Sequence, residues 1–86
     1  MNFENFRAQL QAAIYEGGLR PEFSLRDLFG GTWPELPAGV RVNDLGEWFK
    51  QHVRGSDSFN GEHPFDGIEF SRKKSNNHSV YRLVAN

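Results

Sequence analysis

Seven consecutive residues close to the C-terminus carry side chains that suit the binding of anions. They read Arg72-Lys73-Lys74-Ser75-Asn76-Asn77-His78 and contain no acidic residue. Cationic side chains gain affinity for the phosphates of nucleic acid by releasing condensed counterions, and Asn amides donate hydrogen bonds to phosphates or base edges. The segment therefore predicts a phosphate-binding surface. Its candidate contact residues are Arg72, Lys73, Lys74 and Asn76.

The charge of the chain is divided unevenly along its length. Residues 1–71 carry six Lys or Arg and eleven Asp or Glu, a net charge of −5, whereas residues 72–86 carry four cations and no acid. A chain with this division can present a positive surface although its total net charge is only −1. Two alternatives fit the same pattern. Lys and Arg also blunt exposed strand edges without any partner, and the acidic body could engage a basic surface on another protein.

A second group of candidates lies on a helix predicted over 43–54. The apolar residues of this segment recur at helical spacing and predict one buried face: Leu45, Trp48, Phe49 and Val53. The opposite face carries three side chains that suit the major groove of duplex DNA: Lys50, Gln51 and Arg54. Asp44 and Glu47 oppose this interpretation, because they lie in the first turns, where a recognition helix normally makes its base contacts.

The sequence contains no recognisable catalytic or metal-binding motif. His52, His63 and His78 are eleven and fifteen residues apart, which matches no metal-ligand spacing, and the absence of Cys excludes thiolate metal sites and disulfides. The serines lack a nucleophile-elbow context, and the Gly-Gly pairs lack the spacing of a phosphate loop. We therefore expect no enzyme activity, no metal ion and no cofactor.

Two more helices are predicted in the N-terminal half. Apolar residues recur at helical spacing over 2–16, and Asn2 can cap the start of this helix. Ser24 and Asp27 have the spacing of a capping motif for a short helix over 24–29. These helices precede the predicted helix that carries the groove-facing candidates.

Alternating apolar residues predict a C-terminal hairpin over about 67–84, with the basic segment at its tip. Residues 55–64 have turn composition and predict a mobile loop before the hairpin. Phe59 and Phe65 are expected to lie outside the core, where they would serve as aromatic anchors for a protein partner.

These elements together predict a small α+β, winged-helix-like domain that spans 1–86, with three helices packed against the hairpin. The predicted core comprises Phe6, Leu10, Ile14, Phe23, Leu28, Trp33, Leu36, Leu45, Trp48, Phe49, Val53, Ile68, Phe70, Tyr81 and Leu83.

A scattered motif in this chain resembles a family of short bacterial and phage proteins. The motif consists of Phe23-Ser24-Leu25-Arg26-Asp27-Leu28-Phe29, Trp33, Leu45-Gly46, Phe49, Val53 and Tyr81. The resemblance covers about 23–82, and the family is a domain of unknown function with a winged-helix-like outline. It implies a fold and no activity. In winged helix-turn-helix proteins the turn before the recognition helix is short. Here, residues 30–42 separate the predicted helices over 24–29 and 43–54.

The charge pattern favours a non-catalytic DNA-binding protein, such as a small transcriptional or phage-associated regulator. The alternative is a protein-interaction module from a phage or mobile element that docks on a host protein and inhibits it. A homodimer with paired N-terminal helices can accompany either function. The apolar runs are too short for a membrane span, and the N-terminus lacks the features of a secretory signal. A cytoplasmic location is therefore expected.

Overall fold

Three α-helices and a three-stranded antiparallel sheet form the part of the chain that the computed structural model describes, residues 3–74 and 78–84. The elements in chain order are α1 (Arg7–Glu16), β1 (Glu22–Phe23), α2 (Leu25–Leu28), α3 (Val42–Lys50), β2 (Ile68–Lys73) and β3 (Ser79–Leu83). The predicted α+β class, with three helices and a C-terminal hairpin, is confirmed. The likeness to winged-helix domains stays a prediction.

The N-terminal helix has two parts. A 3₁₀ turn at Glu4–Phe6 leads into α1, whose Leu10 and Ile14 are buried against the core. Gly17 ends the helix with a φ of 76°, in the left-handed region that favours glycine. Asn2, the predicted cap, lies outside the described residues.

The predicted capping motif of the second helix is confirmed. The carboxylate of Asp27 accepts a hydrogen bond of 2.9 Å from the backbone N–H of Ser24, as in a capping box. The Asp27 N–H contacts the Ser24 side chain in return, and it also donates to the Ser24 backbone carbonyl at 3.1 Å. The helix itself is shorter than predicted and covers only Leu25–Leu28.

The third helix begins close to the predicted position but ends early, at Lys50. The Ser56 hydroxyl donates to the Lys50 carbonyl at 2.6 Å, and the Asn60 N–H donates to the Gln51 carbonyl at 3.0 Å. The following loop thus satisfies carbonyls that another helical turn would have used. The prediction of a helix to residue 54 was therefore wrong, and both Gln51 and Arg54 lie beyond α3.

The sheet has the strand order β1-β3-β2, so the last strand of the chain lies at its centre. Phe23 and Phe70 both pair with Tyr81 of β3, one from each neighbouring strand. A register shift between Phe70 and Arg72 marks a β-bulge at Ser71. The prediction missed β1, because two residues are too few to show an alternating pattern.

The predicted core is largely correct. Ten of its members are buried: Leu10, Ile14, Phe23, Leu28, Leu45, Trp48, Phe49, Val53, Ile68 and Tyr81. Four others pack against this core and are partly buried: Phe6, Trp33, Leu36 and Phe70. Leu83 was predicted wrongly, since it is 40% exposed at the end of β3. Within the described ranges, four buried apolar residues were missed: Phe3, Leu25, Phe65 and Val80.

The segment between α3 and β2, residues 51–67, is tied to the core and is called the anchored loop. The sequence predicted a mobile loop over 55–64, without these contacts. Phe65 is fully buried, with its ring centroid 4.9 Å from that of Phe49. The Gln11 amide makes two hydrogen bonds of 3.0 Å with the backbone of Asp66, and Arg7 donates to the His63 carbonyl at 2.8 Å. Phe65 therefore belongs to the core and is not available as a surface anchor.

We expect replacement of Phe65 by Ala to destabilise the protein by about 3–5 kcal/mol, because it removes a fully buried aromatic ring and leaves a cavity. Urea unfolding followed by tryptophan fluorescence measures this loss. Phe59→Ala is the matched control, since Phe59 is only partly buried and its truncation should cost clearly less. Small and equal losses of unfolding free energy in the two variants would contradict the role of Phe65 in anchoring this loop.

Candidate nucleic-acid interface

The hairpin tip is the segment 72–78, and its described residues, 72–74 and 78, lie at the end of β2 and just before the start of β3. Arg72 and Lys73 are the last residues of β2, and their side chains are 59% and 43% exposed. The Lys74 N–H donates to the His78 carbonyl at 2.9 Å. Asn76 lies outside the described residues, so its predicted contact with phosphate has no structural counterpart here.

Arg72 is paired with a carboxylate on the opposite edge of the sheet. Its Nε lies 3.3 Å from Oε2 of Glu22 on β1. The pKa of the Glu22 carboxyl is lowered mainly by the hydrogen bond from the Ser71 hydroxyl and, to a smaller extent, by the Arg72 guanidinium. Arg82 pairs in register with both Glu22 and Glu69, and it forms an ion pair with Glu69. Positive and negative charges therefore balance on this part of the sheet.

The tip and the end of α3 meet around Asp57. The Nζ of Lys73 lies 3.6 Å from Oδ2 of Asp57, and the Nζ of Lys50 lies 3.8 Å from Oε1 of Glu47. The pKa of the Asp57 carboxyl is lowered by the charge of Lys73 and, to a smaller extent, by that of Lys50. The fold thus brings together two cations that are far apart in sequence, with carboxylates beside both.

Arg54 stands apart from the tip. Its Nη2 lies 3.8 Å from Oδ1 of Asp66. Asp66 precedes the first residue of β2, whereas the tip follows the last residues of this strand. Asp66 also accepts a hydrogen bond of 3.1 Å from the Tyr15 hydroxyl. Gln51 is exposed beyond the end of α3. The six candidate residues that the structure describes consequently do not form one continuous group.

Ion pairs are the main electrostatic feature of the candidate cations. Four of them have a carboxylate oxygen between 3.3 and 3.8 Å away: Lys50, Arg54, Arg72 and Lys73. Within the described ranges, Lys74 is the candidate cation for which the structure gives no such pair, and it is exposed. The sequence analysis missed Glu22 and Asp57 as counter-charges, because no local pattern links them to the hairpin.

A groove of about 690 Å³, open to solvent, lies beside α1. Its lining comprises Glu4, Arg7, Ala8, Gln11, His63 and Pro64. The Arg7 guanidinium donates to both Glu4 and the His63 carbonyl, and this hydrogen bond to Glu4 is the main cause of a lowered pKa for that carboxyl. The polar groups of the groove therefore serve to hold the anchored loop on the helix.

Two features are absent from the ranges that the structure describes, 3–74 and 78–84. No group of three or more His, Cys, Asp or Glu side chains there is placed to hold a metal ion. No helix in those ranges combines the length and the apolar character needed to cross a bilayer.

The model of a family described as a domain of unknown function, DUF1413, matches residues 18–82. The match extends from the residues before β1 to the next-to-last residue of β3. It confirms the resemblance to a family of unknown function, whereas a bacterial or phage origin stays a prediction. No curated protein and no solved structure matches the chain.

We expect Lys73→Ala to raise the pKa of Asp57 toward its ordinary value, because the variant removes the charge that contributes most to stabilising this carboxylate. Carboxyl titration by NMR measures the change. Since the pKa is lowered in the folded protein, the pair contributes stability above the ordinary pKa of Asp, and this contribution is lost as the pH falls through the folded value.

Lys74→Ala is the control for this titration, because it removes the same charge from the neighbouring residue. It should leave the pKa of Asp57 close to that of the unmodified protein. An equal shift in both variants would show that Asp57 responds to the overall charge of the tip and not to a specific pair.

Proposed function

Because the chain belongs to DUF1413, a family of domains of unknown function, we propose its function from its own surface: it binds duplex DNA through the hairpin tip and catalyses no reaction. The observation that carries this proposal is the run of three cations at one exposed end of the sheet, Arg72 to Lys74. Lys50 from α3 adds a fourth positive charge close to them.

The carboxylates beside these cations lower the expected affinity but do not block the binding of phosphate. The nitrogen-to-oxygen distances of 3.3 Å for Arg72 and 3.6 Å for Lys73 exceed the roughly 2.7–2.9 Å of strong charged hydrogen bonds. Exposed ion pairs of this kind contribute little, because water and salt screen them. A phosphate can therefore replace the carboxylate at small cost.

The shape of the helical part favours contacts with phosphates over contacts with bases. A helix-turn-helix motif joins its helices by about three or four residues, whereas residues 29–41 separate α2 from α3. Asp44 and Glu47 are exposed on α3 and would repel a DNA backbone. We therefore infer that the binding depends strongly on salt and weakly on base sequence.

Such a protein would act in the cytoplasm as a small regulator with a winged-helix-like outline, in which the hairpin is the wing. The support for this interpretation is the order of a helix followed by a hairpin with cations at its tip.

We expect Lys73→Ala combined with Lys74→Ala to weaken DNA binding and to flatten its salt dependence. Each lost phosphate contact should reduce the slope of log affinity against log salt by about 0.9. Fluorescence anisotropy with a mixed-sequence duplex at several salt concentrations measures both quantities.

Arg20→Ala is the control for this experiment, although it removes one charge rather than two. Arg20 precedes β1, and Phe23 of β1 pairs with Tyr81, so Arg20 lies toward the end of β3 that is remote from the tip. Its loss should leave the salt slope unchanged. Absence of binding by the unmodified protein at about 10⁻⁴ M, the weak limit for non-specific DNA binding, would contradict the proposed function.

A protein-interaction module is the second candidate function, and a cluster of exposed apolar residues favours it. Tyr15, Leu83 and Val84 are 65%, 40% and 38% exposed. All three border the segment 66–68: the Tyr15 hydroxyl bonds to Asp66, the Val84 N–H donates to Gly67, and Leu83 pairs with Ile68. Exposed aromatic residues of this kind are frequent anchors in protein interfaces, here for a host protein that the domain would inhibit.

We expect Tyr15→Ser combined with Leu83→Ser to abolish capture of a protein partner, if this second function is correct. The measurement is an affinity capture after nuclease treatment, with Lys73→Ala combined with Lys74→Ala as the control that keeps the apolar cluster. A partner that both variants retain equally would contradict a role for this cluster.

A further inference from the structure

The proposed DNA-binding surface contains a carboxylate that the fold holds in place. The Oδ2 of Asp57 lies 3.6 Å from the Nζ of Lys73, and its Oδ1 accepts a hydrogen bond of 3.4 Å from the Ser58 hydroxyl. The side chain of Asp57 is 68% exposed, so it lies where a ligand can reach it.

Backbone contacts on both sides of Asp57 fix its position relative to α3. The Ser56 N–H donates to the Val53 carbonyl at 3.3 Å, and the Phe59 N–H donates to the Ser56 carbonyl at 3.2 Å. The Ser56 hydroxyl bonds to the Lys50 carbonyl at 2.6 Å. Asp57 thus sits on a series of turns tied to the end of the helix that carries Lys50.

The surroundings of Asp57 resemble what a phosphate needs. Its carboxylate presents Oδ2 to Lys73, and the charge of Lys50 also acts on it. Phosphate oxygens are acceptors for the same Lys side chains. A phosphate that approaches Lys73 also meets the negative charge of this carboxylate, so the two anions oppose each other at this contact.

We propose that Asp57 is a built-in competitor for phosphate: in the free protein its carboxylate occupies the place beside Lys73 that a DNA phosphate takes in the complex. This inference rests on the proposed function. The competition limits affinity for any polyanion, so only a ligand that also contacts the rest of the tip displaces the carboxylate.

Asp57 fits this role better than Glu22, the other counter-charge at the tip. Glu22 lies within the sheet, pairs in register with Arg82 and accepts a hydrogen bond from Ser71. Its carboxylate therefore contributes to strand pairing. Asp57 lies in no helix or strand, and its exposed carboxylate can leave Lys73 without disturbing the sheet.

The test is Asp57→Asn, studied by fluorescence anisotropy with a mixed-sequence duplex at several salt concentrations. We expect the affinity to rise by up to about fivefold, the range of an exposed ion pair, and the salt slope to stay close to that of the unmodified protein, because the complex contains the same number of phosphate contacts. The same substitution in the Lys73→Ala background should give no gain, because the cation it releases is missing. Since Asp57 is exposed, thermal unfolding should show that the variant folds normally.

Glu16→Gln is the matched control, because it makes the same change in net charge at a distance from the tip. Glu16 follows Tyr15, whose hydroxyl contacts Asp66. Asp66 precedes the first residue of β2, at the end of the strand away from the tip. Equal affinities for Asp57→Asn and the unmodified protein, or equal gains for Asp57→Asn and Glu16→Gln, would overturn the competitor role and leave the proposed function intact. Failure of all forms to bind DNA would overturn both.

Discussion

The packing of three aromatic rings connects α3, the loop that follows it and the sheet. The ring centroids of Phe49 on α3 and Phe65 in the anchored loop are 4.9 Å apart, and those of Phe49 and Tyr81 are 5.0 Å apart. Tyr81 lies on the central strand and contacts Phe23 and Phe70 from its two neighbours. Burial raises the pKa of the Tyr81 hydroxyl. A single buried cluster thus joins the helix, the loop and all three strands, as a small domain with few apolar residues requires.

This packing also decides where the charges lie. With Phe65 buried, the preceding loop must follow the end of α3, which brings Asp57 to the side of Lys73. The pairing of β1 with β3 likewise brings Glu22 within reach of Arg72. A chain whose sequence divides cleanly into an acidic body and a basic tail therefore folds into a surface of mixed charge. Any ligand for the tip has to compete with the protein's own carboxylates.

The features predicted correctly from the sequence are local ones. The core face of α1 follows from spacing, and the contact between Asp27 and the Ser24 backbone joins residues three positions apart. The features that were missed depend on distant partners. The hydrogen bond from Arg7 to His63 spans 56 positions, and that from Gln11 to Asp66 spans 55. The composition of the loop, rich in turn-forming residues, does not reveal these contacts and therefore predicted a mobile segment.

The same reasoning applies to the candidate site. The positive charge of the tip can be predicted from the sequence, because its cations are consecutive. Its counter-charges come from β1 and from the loop, and no sequence pattern near the tip indicates them. Amide chemical-shift mapping by NMR with a mixed-sequence duplex tests the account most directly. We expect the shifts to concentrate at Lys73, Lys74 and Asp57. Shifts confined to the surroundings of Tyr15 and Leu83, or no shifts at all, would contradict DNA binding through the hairpin tip.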